Sequence, residues 1–484
     1  MKNTRLLLCS YFGLSLMLSG LSADANRKTF LAPRATGVNL PMEYTTWHGH
    51  VYGKKCNPRN RTSFQVTPFF QGSTNEGELG EYFGINKESN SFTIGSGLDV
   101  PHNYLIHNTG AGAGAKGTVS FHPDQEAWGA RLDFFQDINT PCAKFFLTAS
   151  APIVSIERDM DMRVADEVLF VRGSESFSIK DFFNGAVESK TARNAQEALK
   201  KAKIGGHHSK TGLADIDVAL GHKCIYKKNR HLFLNIGVTI PTGTKVRGDY
   251  LWAPVVGNGR HVGLGAGVDA GIQVWKSKRA KAKILFAADY RYLFEATEQR
   301  TIGLQDSGVP MAHYFLAQKV NAPADTPLFP AANVLTQDVR VKPGSQIDAM
   351  IDFSFMCSKF TVDFGYNMFW KDQESVWVKN WSDNTYVIVP ASFDTSLVFS
   401  AADCSVLNLV HQDTRPTTAE ELLDVDAATS PAQLTHKIFG GVGYTFNVCC
   451  NHPLSIGAGA SYEFVSTNAA LENYSFWIKA GVSF

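Results

Sequence analysis

Residues 360–370 read FTVDFGYNMFW. In an extended chain Phe360, Val362, Phe364, Tyr366, Met368 and Trp370 fall on one face, and Thr361, Asp363, Gly365 and Asn367 on the other, because successive side chains of a strand point to opposite sides. A row of large apolar groups backed by polar or small ones describes a wall with oil on one side and water on the other.

The same period of two recurs on either side. It is clear in residues 231–241, 261–275, 346–356, 453–464 and 474–484, and weaker in 62–70, 127–138, 145–156, 213–223, 284–294 and 434–446. Tilted strands of about 9–11 residues cross a bilayer core, and beyond the first segment no run reaches the ~18–20 apolar residues a membrane helix needs. Strands survive in lipid only as a closed barrel, where every backbone group finds a partner. The pattern therefore predicts an all-β fold, a transmembrane antiparallel up-and-down β-barrel of about twelve strands. Residues 91–100, 116–122 and 164–179 would raise the count to fourteen or sixteen. Short connections (139–144, 224–230, 276–283, 357–359, 447–452) alternate with long ones (about 71–126, 157–212, 242–260, 295–345 and 371–433). Short turns on the periplasmic side and long external loops are the habit of outer-membrane barrels. Within the loops, residues 192–204, with Arg193, Lys200, Lys201 and Lys203, and residues 418–425 read as short helices.

The chain opens with Lys2 and Arg5, an apolar run over 6–21 and Ala23-Asp24-Ala25, the pattern of a cleaved signal peptide at 1–25. Residues 26–61 then form a periplasmic N-terminal segment and 62–484 the barrel. Forty-six Lys and Arg balance 45 Asp and Glu, a net charge of +1 that gives no reason to expect nucleic acid as a partner.

Charge sits on the face turned from lipid, where it is tolerated. The alternation assigns Arg131, Asp133, Asp215, Asp217, Asp269, Asp289, Arg291, Asp348, Asp352, Asp363, Lys437, Glu463 and Lys479 to the lumen, with Phe69, Phe135 and Phe439 as apolar lining. Acids outnumber bases, and acidic walls favour cations. The expectation is a porin for passive diffusion of small hydrophilic solutes, weakly cation-preferring. The alternatives are a substrate-specific channel for apolar or aromatic compounds, which needs a greasy pocket and a plug, and a structural or adhesive envelope protein. No catalytic set or cofactor motif emerges. The glycines at 265–267 imitate a dinucleotide fingerprint but lie mid-strand and open no helix. His48 with His50, and His207 with His208, lack supporting metal ligands.

Once Cys9 leaves with the signal peptide, seven cysteines remain. Cys56, Cys142, Cys224, Cys357, Cys449 and Cys450 gather at the short-turn side and Cys404 in an external loop, which makes the six rim residues disulfide candidates in an oxidising periplasm. The odd count leaves either a free thiol or a bond to another chain. With its signal peptide, large barrel, rim cysteines and terminal aromatic Phe484, the chain resembles the cysteine-bearing porins of chlamydia-type bacteria. That resemblance implies a disulfide-linked envelope. Separately, GLADIDVALGHK (212–223) with HLFLNIGVTIPTGT (231–244) resembles a hairpin of outer-membrane transporters for aromatic and other apolar compounds. Expected partners are outer-membrane lipid and lipopolysaccharide, the barrel-assembly machinery that would read Phe484, and, through the cysteines, envelope proteins or a second copy.

Overall fold

The computed structural model describes residues 24–37, 39–46, 61–106, 115–139, 144–172, 174–190, 195–227, 229–304, 311–323, 326–381, 385–389, 423–448 and 452–483. The first 23 residues, Cys56, Cys142, Cys404, Cys449, Cys450 and Phe484 lie outside that set.

Twelve strands form the wall: β1 (Thr62–Ser73), β2 (Asp124–Asn139), β3 (Lys144–Asp159), β4 (Ile216–Lys227), β5 (Arg230–Ile240), β6 (Gly263–Lys276), β7 (Ala280–Leu293), β8 (Gly344–Cys357), β9 (Phe360–Lys371), β10 (Gln433–Val448), β11 (His452–Val465) and β12 (Asn473–Ser483). Each pairs antiparallel with its sequence neighbours. The ring closes where β12 meets β1, with Val66 opposite Ala480. Sequential pairing and short turns after β2, β4, β6, β8 and β10 make this an up-and-down barrel.

The apolar face points outward as the alternation requires. Phe364 is 60% exposed and Ile236 66%, while Asp363, Asn367 and Asp352 are buried inside. An apolar belt of this extent on a closed sheet is the form in which β-structure crosses a membrane. Among the described residues, no second sheet or helix covers the row at 360–370, where Phe360, Phe364 and Tyr366 are exposed.

The extra strand candidates do not enter the wall. Ser91–Ile94, Lys116–Ser120 and Arg163–Val168 pair with one another in a separate three-stranded sheet. It belongs to a cap built from the long connections, with its own apolar core of Phe92, Phe121, Phe182, Phe183, Tyr314 and Phe315 among others. The short helix Ile179–Phe183 starts in a capping box, in which Ser178 Oγ accepts from the Asp181 amide (3.0 Å) and Asp181 from the Ser178 amide (2.8 Å). A second cap sheet joins Ala296–Thr301, Thr336–Lys342 and Ser375–Val378. Its buried polar centre is Arg300, bonded to Glu298 (2.7 Å) and Glu374 (2.5 Å), with His261 on the far oxygen of Glu298 (3.0 Å).

Two loop readings are corrected. The described part of the expected helix at 192–204 is irregular, because other loops take its amides: Glu197 donates to Leu328, Ala202 to Gly248 and Lys203 to Asp249. Leu199, Ala202 and Ile204 are buried in the cap core, so packing overrides helix propensity. Of the expected acidic helix at 418–425, residues 418–422 are outside the described set, and Leu423–Asp424 is a short strand.

Candidate functional site: an occupied lumen and its chamber

The largest correction concerns the N-terminal segment. Residues 26–61 read as periplasmic, yet residues 24–37 and 39–46 run from the cap down into the barrel, while 47–60 lie outside the described set. At the long-loop end the Ala25 amide donates to Asn468 (2.8 Å), Arg27 to Gly84 and Thr29 to Ala427. Helix α1 (Leu40–Tyr44) lies within the barrel, started by Asn39, whose side chain accepts from the Met42 amide. Leu40 and Met42 pack on Phe69, Phe439 and Trp477 of the inner wall. Thr45 and Thr46 lie against glycines: a Cβ on Gly441, Gly443 or Gly457 would strike a Thr45 or Thr46 side chain at 2.4, 2.7 or 2.2 Å. Period-two alternation cannot reveal this, since an irregular segment carries no period. The glycines in the GGVG stretch at 440–443 were the available hint.

Wall charges hold the segment. Arg34 bonds Asp348 (2.5 Å), Glu463 (3.2 Å) and Asn367 (3.0 Å), with its guanidinium over the Phe369 ring at 4.9 Å. Arg131 spans Asp133 (2.7 Å) and Glu43 (2.5 Å), and donates to the Gly37 carbonyl. Lys371 donates to the Ala32 carbonyl, and Lys479 to those of Glu43 and Thr45. Lys437 pairs with Glu463 (2.9 Å), and Asp363 accepts from the Thr46 amide.

Beside α1 remains a chamber of about 190 Å³. Of the residues read as lumenal, Arg131, Asp133, Asp217, Asp269, Asp289, Arg291 and Asp348 line it, together with Phe135. Asp352, Asp363, Glu463, Lys437 and Lys479 are inward-facing but buried elsewhere in the barrel, away from the chamber. Asp215 is a correction: it precedes β4 and accepts from the Gly243 (3.1 Å) and Asn258 (2.7 Å) amides, anchoring the loop after β5 rather than lining the lumen. Phe69 and Phe439 touch α1, not the chamber.

The alternation alone did not single out Phe146 and Phe233, which lie against Phe135 at the short-turn end. Phe135 and Phe146 stack with centroids 5.4 Å apart, and Phe146 meets Phe233 at 5.7 Å. Beyond them the Lys223 ammonium bonds Asp137 and lies 5.3, 5.0 and 5.5 Å from the Phe135, Tyr226 and Phe233 ring centroids. Arg61 donates to the Tyr226 hydroxyl (2.7 Å). Of the rim cysteines, Cys224 and Cys357 are described, and both are exposed free thiols. Cys224 stands at a bulge, where the β4–β5 register shifts between Lys223 and Ile225.

No protein-family model matches the chain, and no curated protein matches it. Solved structures similar to it include an outer membrane channel from Pseudomonas putida, at 9% identity over 88% of this chain and 96% of the other, TM-score 0.40. The transport unit of the autotransporter AIDA-I from Escherichia coli gives 9% identity over 90% and 94%, TM-score 0.35. The toluene transporter TbuX from Ralstonia pickettii gives 9% over 96% and 95%, TM-score 0.31. The fold assignment rests on the strand pairing itself.

Proposed function

We propose that this protein is an outer-membrane channel that passes selected small solutes passively and is closed at rest by its own N-terminal segment. The observation that carries this reading is the threaded N-terminal segment, which among the described residues leaves a small mixed chamber in place of a continuous water-filled lumen. A general diffusion porin needs an open aqueous path. Here Asp348, Glu463, Asp363, Arg131, Lys371 and Lys479 of the wall bond the segment, and Phe135, Phe146 and Phe233 with Lys223 fill the short-turn end. The geometry thus favours the substrate-selective reading over the open porin. On this reading no bond is made or broken, and no cofactor takes part.

Planar-bilayer recording and vesicle uptake test it. The intact chain should show low resting conductance with uptake that saturates, and a chain lacking residues 26–46 should conduct openly. Large, steady conductance from the intact chain would return the general porin to first place.

A second reading rests on the thiols. Cys224 and Cys357 are exposed at the short-turn rim, where a neighbouring envelope protein or a second copy would meet them. We propose that they take part in intermolecular disulfides. Non-reducing gels of envelopes prepared with a thiol-blocking reagent should show ladders that collapse on reduction; monomer alone would remove this reading.

A further inference from the structure

We propose that the chamber selects a small organic cation, an ammonium or guanidinium on a compact apolar or aromatic body. This deepens the channel reading and rests on it. Three levels along the barrel interior support it.

At the upper level the barrel already holds a guanidinium. Arg34 of the threaded segment sits between Asp348 and Glu463 with its face on Phe369. At the lower level it already holds an ammonium. Lys223 is bound by Asp137 and boxed by Phe135, Tyr226 and Phe233. Both use a carboxylate with an aromatic face, the pairing that recognises organic cations. The chamber between them has the same two components, and the two cations on its wall, Arg131 and Arg291, are each bonded to carboxylates other than Asp289. Phe135, Phe146, Phe233 and Phe369 contribute to its walls, and Phe135 and Phe233 are two of the rings around Lys223.

Asp289 supplies the carboxylate. Its register partner across β7 and β8 is Asp348, so two acids stand directly opposite, an arrangement that raises the energy of both unless cations intervene. Asp348 has Arg34. Arg291, two residues from Asp289, gives its guanidinium to Asp217 at 2.7 Å, and Arg131 is taken by Asp133 and Glu43. Asp269 has His231 at 3.0 Å. Among the described residues, no ion pair is made by Asp289, whose side chain opens to the chamber. Gly267 beneath it keeps the space clear, since a Cβ there would come within 2.3 Å of the Asp289 carboxylate. Lys371, Lys437, Lys479 and Lys283, further cations of the wall strands, do not line the chamber. Its size sets the guest. An apolar cavity of about 150 Å³ holds benzene, so 190 Å³ takes one ring with a short charged arm.

The probes are benzylammonium and phenylacetate, similar in size and opposite in charge. Calorimetric titration of the full chain in detergent at neutral pH should show benzylammonium binding at least ten-fold tighter than phenylacetate, with Asp289→Asn removing most of that difference. Lys223→Met removes a like charge behind the aromatic floor and should tighten benzylammonium at least three-fold; it carries the test if Asp289→Asn fails to assemble. Equal binding of the two probes, or a benzylammonium affinity unmoved by both substitutions, overturns the inference. Vesicle uptake by the full chain separates the two claims. Uptake without cation preference leaves the channel standing and removes the cation site. Binding that follows Asp289 without uptake of either probe keeps the site and removes the channel.

Discussion

In the cap, Phe121, Phe182, Phe183 and Tyr314 pack into a continuous apolar core. Inside the barrel, Arg34, Arg131, Lys371 and Lys479 add charged hydrogen bonds to the packing of Leu40 and Met42 in holding the N-terminal segment. The two regions therefore respond differently to water. A buried aromatic taken from its core loses transfer and packing energy that water cannot restore. A guanidinium leaving a carboxylate is compensated in large part by hydration of both, because the pair had already lost its solvent. On the proposed reading the cap stays folded while the threaded segment is released. Opening of this barrel should begin at the segment.

The largest expected effect follows from removing the segment. Deleting residues 26–46 should raise single-channel conductance about ten-fold or more, since the lumen then fills with water and the wall charges face solution. Conductance unchanged by the deletion would mean that the cap, not the segment, closes the barrel. Next comes the cap core: Phe183→Ala should cost about 3–5 kcal/mol of cap stability. Limited proteolysis of the long loops would report it, with the barrel's heat-modifiable gel shift unaltered. If that shift moves as well, cap and barrel unfold as one unit and the contrast drawn above dissolves. A smaller change is expected from Arg34→Gln, which leaves Asp348 and Glu463 with a weaker partner. Brief openings should become about ten-fold more frequent, the scale of a lost buried contact in part replaced by water. A silent recording would show that Arg131 and the lysines suffice.

The smallest effect is that of pH on the cap. Burial would raise Glu374, but Arg300 and Lys371 override it and hold the carboxyl below its ordinary value. Burial would lower His261, but its hydrogen bond and charge contact with Glu298 hold it above its ordinary value. The Glu374 contribution is present above pH 4.5 and lost as pH falls through its lowered pKa; the His261 contribution is present below pH 6.5 and lost as pH rises through its raised one. The cap should resist proteolysis best between about pH 4.5 and 6.5. Equal cleavage rates from pH 4 to pH 9 would count against that buried network as a source of cap stability.

How far the sequence could be read depended on period. The outer wall was legible strand by strand: the expected strands at 360–370 and 474–484 match β9 and β12 within a residue, and lumenal charges from Arg131 to Lys479 face inward. Asp215 failed because one residue of offset before β4 turns a wall position into a loop anchor. Residues 192–204 failed because helix propensity is local, whereas the partners of those amides come from Gly248, Asp249 and Leu328. The chamber's aromatic side was half seen, through Phe135, since Phe146 and Phe233 are ordinary inward residues until the ring closes.

The order of residues alone set the barrel and its two faces, because in a pleated strand facing lipid the burial of each side chain follows from its parity; the strand number, about twelve by sequence with fourteen or sixteen open, was decided when Ser91–Ile94, Lys116–Ser120 and Arg163–Val168 paired in the cap. Whether the interior would be open or filled was not written in any period. Only the closed ring brought Arg34 to Asp348, Glu43 to Arg131 and Thr46 to the glycines of β10 and β11. Those contacts join residues from 88 to more than 300 positions apart through charge and fit, which alternation does not encode.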